Sequence, residues 1–175
     1  GKIKVADLSG QSAILEAELP GSGHVVAAAL NGHAIAVSSA GEMKVFDITS
    51  LKLRREQTIS VKDANRIETA GSFVAVGNLS TGDVGVYDLR PPRVNLVEYR
   101  RFATGLLAIA VSATGRITVA TERGTILAGP SVAAPALVRA IDFFEQDRFL
   151  VGGDFLGVHV VAAANPPRGV VGCPA

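Results

Sequence analysis

Short runs of alternating apolar and polar residues cover most of the chain, and this pattern predicts β-strands. In residues 41–48, Met43 and Val45 fall on one face of an extended chain, while Lys44 falls on the other. Residues 1–8 alternate in the same way, and β-branched residues are frequent in these runs. No amphipathic segment of helix length competes with this reading. We therefore expect an all-β chain.

The strand-like runs recur with a period of about forty residues. The segments GKIKVADL, GEMKVFDI and GDVGVYDL each begin with a glycine and have an aspartate six residues later. The glycine opens a strand, where a tight turn can use positive φ. The aspartate closes the strand, where its side chain can bond nearby backbone amides. The repeated positions are Gly1, Asp7, Gly41, Phe46, Asp47, Gly82, Tyr87 and Asp88, preceded in the second repeat by His24.

Further apolar runs surround each copy of the repeated segment. One run precedes the glycine across a short connector rich in Ser, Asn, Thr and Gly, which is hairpin spacing. Another run lies upstream of it, and a more charged run follows the aspartate. The repeat unit is thus four short antiparallel strands, which is the blade of a β-propeller. We expect a single propeller-like domain, 1–175, with repeats at 1–19 (partial), 20–60, 61–101, 102–134 and 135–175.

With these features in place, the chain resembles degenerate WD-repeat β-propellers. Residues 21–48 carry the clearest match, with a Gly-His pair at His24 opening the first strand and Phe46-Asp47 ending the third. Residues 66–89 repeat the pattern with a Tyr-Asp pair. The chain has no tryptophan, and kelch, quinoprotein and lactonase propellers stay open as alternatives. The resemblance implies about four blades of four antiparallel strands.

The number of repeats raises the question of how the ring closes. Seven blades would need about 290 residues at this period, whereas the chain has 175. The chain can be part of a larger propeller, two copies can associate, or a small ring of four or five blades can close on itself. We expect an incomplete ring or one shared with a partner, because the fourth and fifth copies are irregular.

Composition narrows the class of protein. Seventeen basic and 16 acidic residues give a net charge of +1, which lacks the overall positive charge typical of nucleic-acid-binding proteins. Hydrophobic residues make up 48% of the chain, and this excludes disorder. The single cysteine, Cys173, excludes an internal disulfide and favours an intracellular, cytoplasmic location. No long apolar run or signal peptide is visible, so we expect no membrane association.

No motif carries recognisable chemistry. The three histidines lack metal-ligand spacing, no nucleophile elbow occurs, and the glycine-rich segments lack the residues that follow in phosphate loops. The aspartates Asp7, Asp47 and Asp88 can in principle ring a channel and bind a cation, but turn capping is the simpler interpretation. We therefore predict no catalytic residues, no metal and no cofactor, and we do not expect an enzyme.

Basic residues cluster mildly on the charged strands that follow two of the aspartates. Such a patch can contact an acidic protein tail, phospholipid or RNA. The simpler interpretation is that outer strands are blade edges, which carry charge to block aggregation. The candidate partner-binding residues are Lys52, Arg54, Arg55, Arg93, Arg100 and Arg101.

The resemblance implies a non-catalytic scaffold that holds other proteins, of its own or another kind, in a complex. One alternative is an enzyme or ligand-binding propeller fragment with a site along a central channel. A second alternative is an RNA-associated propeller that uses the basic edge. Fold alone does not decide among these functions.

Overall fold

The computed structural model of the chain consists of β-strands and their connections, as the alternating pattern predicted. No helix occurs in the described ranges, so none there is long and apolar enough to cross a membrane. The strands form five antiparallel sheets in chain order. The structure describes residues 2–6, 14–18, 26–30, 33–37, 41–47, 54–61, 63–90, 93–127, 131–133, 138–145, 148–153 and 158–162.

The first two sheets come from the N-terminal third of the chain. The first is a two-stranded hairpin, and the second has four strands that pair in chain order. Their strands are β1 (Lys2–Ala6), β2 (Ile14–Glu18), β3 (Val26–Leu30), β4 (His33–Val37), β5 (Glu42–Asp47) and β6 (Arg54–Ser60).

The third and fourth sheets repeat the four-stranded arrangement, again with every strand paired to its neighbour in the chain. The third contains β7 (Arg66–Ala70), β8 (Phe73–Asn78), β9 (Asp83–Asp88) and β10 (Asn95–Arg101). The fourth contains β11 (Leu106–Val111), β12 (Ile117–Thr121), β13 (Thr125–Leu127) and β14 (Ser131–Ala133).

The fifth sheet has three described strands in the same order. Its long first hairpin is interrupted by two register shifts, and Phe143 packs edge-on against Phe149 across it. The strands are β15 (Val138–Glu145), β16 (Arg148–Gly153) and β17 (His159–Ala162).

The core lies between consecutive sheets rather than within any one of them. Strand β3 contacts β7, β11 contacts both β7 and β8, and β15 contacts β11 and β12. Each junction has its own cluster of buried apolar residues. Met43, Val45 and Val74 belong to the cluster of the second and third sheets. Phe73 and Ile109 belong to the cluster between the third and fourth sheets. The third cluster joins the fourth and fifth sheets.

Two repeat glycines explain how the second and third sheets make the tight turn before their third strand. Gly41 and Gly82 have φ of +76° and +77°, the positive values that their place before a strand predicted. A Cβ at Gly41 would lie 2.8 Å from the carbonyl oxygen of Val61. At Gly82 it would lie 2.7 Å from that of Phe102. Both glycines therefore allow the chain leaving the outer strand to pass close to the turn.

Candidate functional site

The most exposed regular strand with described side chains is β10, the outermost strand of the third sheet. Six of its seven residues are exposed and the seventh is half-buried. Four large hydrophobic residues are exposed in the part of the chain that the structure describes, and β10 contributes three of them. These are Leu96 at 55%, Val97 at 56% and Tyr99 at 61%, whereas the fourth is Val158. An edge strand with this composition is a typical place for another chain to bind.

A β-bulge sets the direction of the apolar side chains on β10. The register with β9 shifts between Leu96 and Glu98, so that Leu96 lies opposite Tyr87 and Tyr99 lies opposite Gly85. Tyr87 and Gly85 are two residues apart on β9 and share a face. Leu96 and Tyr99 therefore lie on this same face, although they are three residues apart in the sequence.

The hydrogen-bond pattern of β9 and β10 determines which backbone groups of β10 point outward. The Phe102 N–H donates to the Gly82 carbonyl at 2.9 Å. Antiparallel ladders alternate between bonded and non-bonded pairs, so the next bonded pair joins Arg100 to Val84. The backbone N–H and C=O groups of Tyr99 and Arg101 consequently point away from the sheet.

A cavity of about 310 Å³ opens beside β10 on the face that carries Leu96 and Tyr99. Strands β8, β9 and β10 form its floor and one wall, and the connection between β6 and β7 forms the other. Its lining combines aliphatic and aromatic side chains with the polar residues Asn78 and Asp83. The residues that shape it include Val61, Ala64, Val76, Tyr87, Leu96 and Tyr99.

The two tyrosines of the cavity are held in different ways. The Tyr87 ring lies over Gly85, where a Cβ would come within 3.0 Å of the Tyr87 Cε2 atom. Burial raises the pKa of Tyr87. The Tyr99 hydroxyl donates to the Asp83 Oδ1 atom at 2.5 Å, and this hydrogen bond raises the pKa of Tyr99. Both phenols are therefore protonated at neutral pH.

Polar residues at the end of the cavity fix the turn between β8 and β9. The buried Asn78 side chain donates to the Asp63 carbonyl at 2.8 Å and accepts from the Ser80 and Thr81 amides. The Thr81 hydroxyl donates to the Asp83 Oδ2 atom at 2.7 Å. These bonds join the connection after β6 to the β8–β9 hairpin, so the cavity wall and floor are tied together.

The basic residues singled out from the sequence are only partly brought together. Arg93, Arg100 and Arg101 are exposed on β10 or just before it. Arg100 pairs with Glu98, and Arg101 lies 3.6 Å from Asp83. Arg54 and Arg55 begin β6, the outermost strand of the second sheet. Lys52 lies outside the described residues.

The repeated aromatic and acidic positions have structural surroundings where they are described. Phe46 and Tyr87 are buried. Asp88 accepts a hydrogen bond from the Arg90 amide at 2.9 Å. It also accepts one from the Arg90 side chain, which lowers the pKa of Asp88. Asp47 ends β5. Gly1, Asp7 and His24 lie outside the described residues.

The described residues do not include a candidate metal site. No group of three or more His, Cys, Asp or Glu residues is placed to hold a metal ion within the ranges that the structure describes.

Sequence reasoning missed the apolar part of this site. Leu96, Val97 and Tyr99 lie in a run that reads as a charged outer strand, and the bulge breaks its alternation. One signal was present, because Gly85 interrupts the middle of a strand where a side chain is normally needed. A glycine inside a strand often marks a bulge or a close approach by another group.

The comparisons with known proteins give the fold and no closer relationship. The chain matches no known family profile and no curated protein sequence. Among solved structures, a chain in the crystal structure of the mitotic checkpoint complex aligns with a TM-score of 0.65 at 12% identity, covering 93% of this chain and 56% of that one.

A second solved structure agrees with the first. The β-propeller domain of Cps50 (Swd1) from Myceliophteria thermophila aligns with a TM-score of 0.61 at 12% identity, covering 79% of this chain and 53% of that one. The chain thus spans about half the length of the structures it matches. Its fold is that of a partial β-propeller, which confirms the fold predicted from the repeats.

Proposed function

We propose that the chain is a protein-interaction scaffold, a propeller segment that holds other proteins in a complex. The observation that carries this proposal is the exposure of Leu96, Val97 and Tyr99 on one outer strand. Aromatic and aliphatic side chains at the centre of an interface supply much of its binding energy. A matching structure that comes from a multi-protein complex, the mitotic checkpoint complex, adds support for this kind of role.

The charges around β10 favour a protein partner over RNA. Arg100 and Arg101 have Glu98 and Asp83 beside them, so part of their charge is already compensated. Binding to a nucleic-acid backbone depends on many cations that neutralise phosphates. Tyr99 also bonds Asp83 through its hydroxyl, and an adjacent carboxylate repels a phosphate backbone.

The test is a binding selection with the purified chain, using display libraries of folded domains and of peptides. We expect binders whose affinity falls at least about tenfold in Val97→Lys, or ~1.4 kcal/mol, because a charge replaces an apolar contact. Val158→Lys is the matched control, since Val158 is at least as exposed as Val97 but lies outside β10. Equal weakening by both variants, or the absence of any binder, would contradict the proposal.

A further inference from the structure

The outer edge of β10 offers backbone groups to a further strand. Tyr99 and Arg101 direct their N–H and C=O groups away from β9, which gives two donors and two acceptors at the spacing of an antiparallel or parallel ladder. The bulge lies in the first half of β10, whereas residues 98–101 pair regularly with β9. The regular half of the strand is therefore the part that can accept another strand.

The cavity beside the same strand suits an anchoring side chain. Its volume of about 310 Å³ exceeds that of a leucine or phenylalanine side chain, and Val61, Ala64 and Val76 give it apolar walls. Leu96 and Tyr99 stand at its rim on β10 itself. A segment lying along β10 would thus carry alternate side chains toward this opening.

The charge along the outer edge is positive overall. Arg93, Arg100 and Arg101 are exposed, and the Arg101 side chain is 72% accessible. Two carboxylates compensate part of this charge, because Glu98 pairs with Arg100 and Asp83 lies 3.6 Å from Arg101, so these five residues have an excess of one positive charge. Acidic residues in an approaching segment would therefore be favoured near Arg93, away from Glu98 and Asp83, and basic residues would be repelled there.

We propose that β10 accepts an extended, acidic segment of a partner protein as an additional strand of the third sheet, with one large apolar side chain of that segment in the cavity between Ala64 and Tyr99. Strand addition of this kind gains affinity from backbone hydrogen bonds and specificity from alternate side chains. The inference rests on the proposed scaffold function, since it names the class of partner and where that partner binds.

The first experiment isolates the backbone contribution. Peptides of twelve residues are selected from a random display library on the purified chain and then measured against two variants at one position. Arg101→Ala removes the side chain, whereas Arg101→Pro also removes the outward N–H without breaking the ladder to β9. We expect the enriched peptides to bind Arg101→Pro about tenfold more weakly than Arg101→Ala.

A second variant tests the anchor independently of the edge. Ala64→Leu fills part of the cavity from the wall opposite β10, and a thermal unfolding curve verifies that the variant is folded. We expect the same peptides to lose at least about tenfold in affinity, because the anchor is excluded. Val158→Lys remains the control, and the enriched sequences should combine one large apolar residue with acidic neighbours.

The outcomes separate this inference from the function on which it rests. If no peptide and no folded domain binds, both are wrong. If binders lose affinity in Val97→Lys but bind Arg101→Pro and Arg101→Ala equally well, the scaffold function stands and strand addition is wrong. Enrichment of basic peptides would contradict the acidic segment. Full affinity for Ala64→Leu would contradict the anchoring side chain in the cavity.

Discussion

The central strands of the third and fifth sheets occupy equivalent places in their sheets but differ in burial. All six residues of β8 are buried, and so are all five of β12 in the fourth sheet. In β16 burial alternates, with Phe149 and Val151 buried and Leu150 half-buried. A sheet packed between two others buries both faces, whereas β16 shows the one-sided burial of a sheet packed on one face.

This difference shows that a residue's tolerance to substitution depends on the place of its sheet in the stack. Val74 of β8 has no exposed surface. Valines also occur on the face of the fifth sheet that lies away from the fourth sheet, but there they are less buried. Val160 of β17 is half-buried and Val158 is exposed. The same amino acid therefore contributes different amounts of hydrophobic free energy at the two positions.

The strongest test of this difference is a charge placed in each sheet. We expect Val74→Asp to lower the free energy of unfolding by more than about 4 kcal/mol, because the carboxylate would be buried among apolar side chains without a partner. Val160→Asp should cost about 1–2 kcal/mol, since this position retains access to water. Urea denaturation followed by circular dichroism measures both values, and similar losses would contradict the interpretation.

Equivalent turns give a second, smaller test. Gly82 and Gly124 have similar φ values, +77° and +71°, but a Cβ would clash with carbonyl oxygens only at Gly82. We expect Gly82→Ala to cost about 3 kcal/mol, from backbone strain together with the clash. Gly124→Ala carries the strain alone, so it should cost about 1 kcal/mol. The denaturation midpoints of the two variants measure these costs, and equal costs would mean that the close approach at Gly82 is unimportant.

Two buried threonines of β12 provide a third test, in which we expect the free energy of unfolding to change by about 1 kcal/mol. The Thr118 hydroxyl is buried without a hydrogen-bond partner, whereas the Thr121 hydroxyl lies 2.6 Å from that of Thr125. Thr118→Val should therefore raise the free energy of unfolding by about 1 kcal/mol. Thr121→Val should lower it by a similar amount, because it removes a hydrogen-bond partner of Thr125. Changes of the same sign in the two variants would contradict this assignment.

The smallest expected effect depends on pH at the end of β9. Arg90 lowers the pKa of Asp88 in the folded protein, so the pair stabilises the fold above the unfolded pKa of about 4. This contribution is lost as the pH falls through the lower folded value. The free energies of unfolding of wild type and Arg90→Gln should differ more at pH 7 than at pH 3. The same substitution in an Asp88→Asn background should show no such dependence, and a difference as large at pH 3 as at pH 7 would contradict the prediction.

Much of the fold was predictable because its determinants are local. Alternation predicts strands, and the glycines at 41 and 82 predict the turns that start β5 and β9, since only backbone conformation and nearby carbonyls are involved. The irregular fifth copy still yields a strand, His159–Ala162, around the alternation of its valines.

The candidate site was less predictable because it depends on register between strands. The bulge between Leu96 and Glu98 brings Leu96 and Tyr99 onto one face, and the one local sign of it, Gly85, lies on the neighbouring strand and does not show where the register shifts. Tyr99 reaches Asp83, sixteen residues earlier, only once the hairpin is formed. Sequence reasoning therefore identified the arginines at the edge but not the apolar residues among them.

The contacts between consecutive sheets have a consequence for how the molecule opens. When each unit touches only its neighbours, stability is a sum of unit and junction energies, as in a one-dimensional lattice. Strands β8 and β12 are flanked on both sides by such junctions, so their amides should exchange with deuterium last. The amides of β16 and β17 should exchange earlier, so that protection declines from the middle of the chain toward its last sheet.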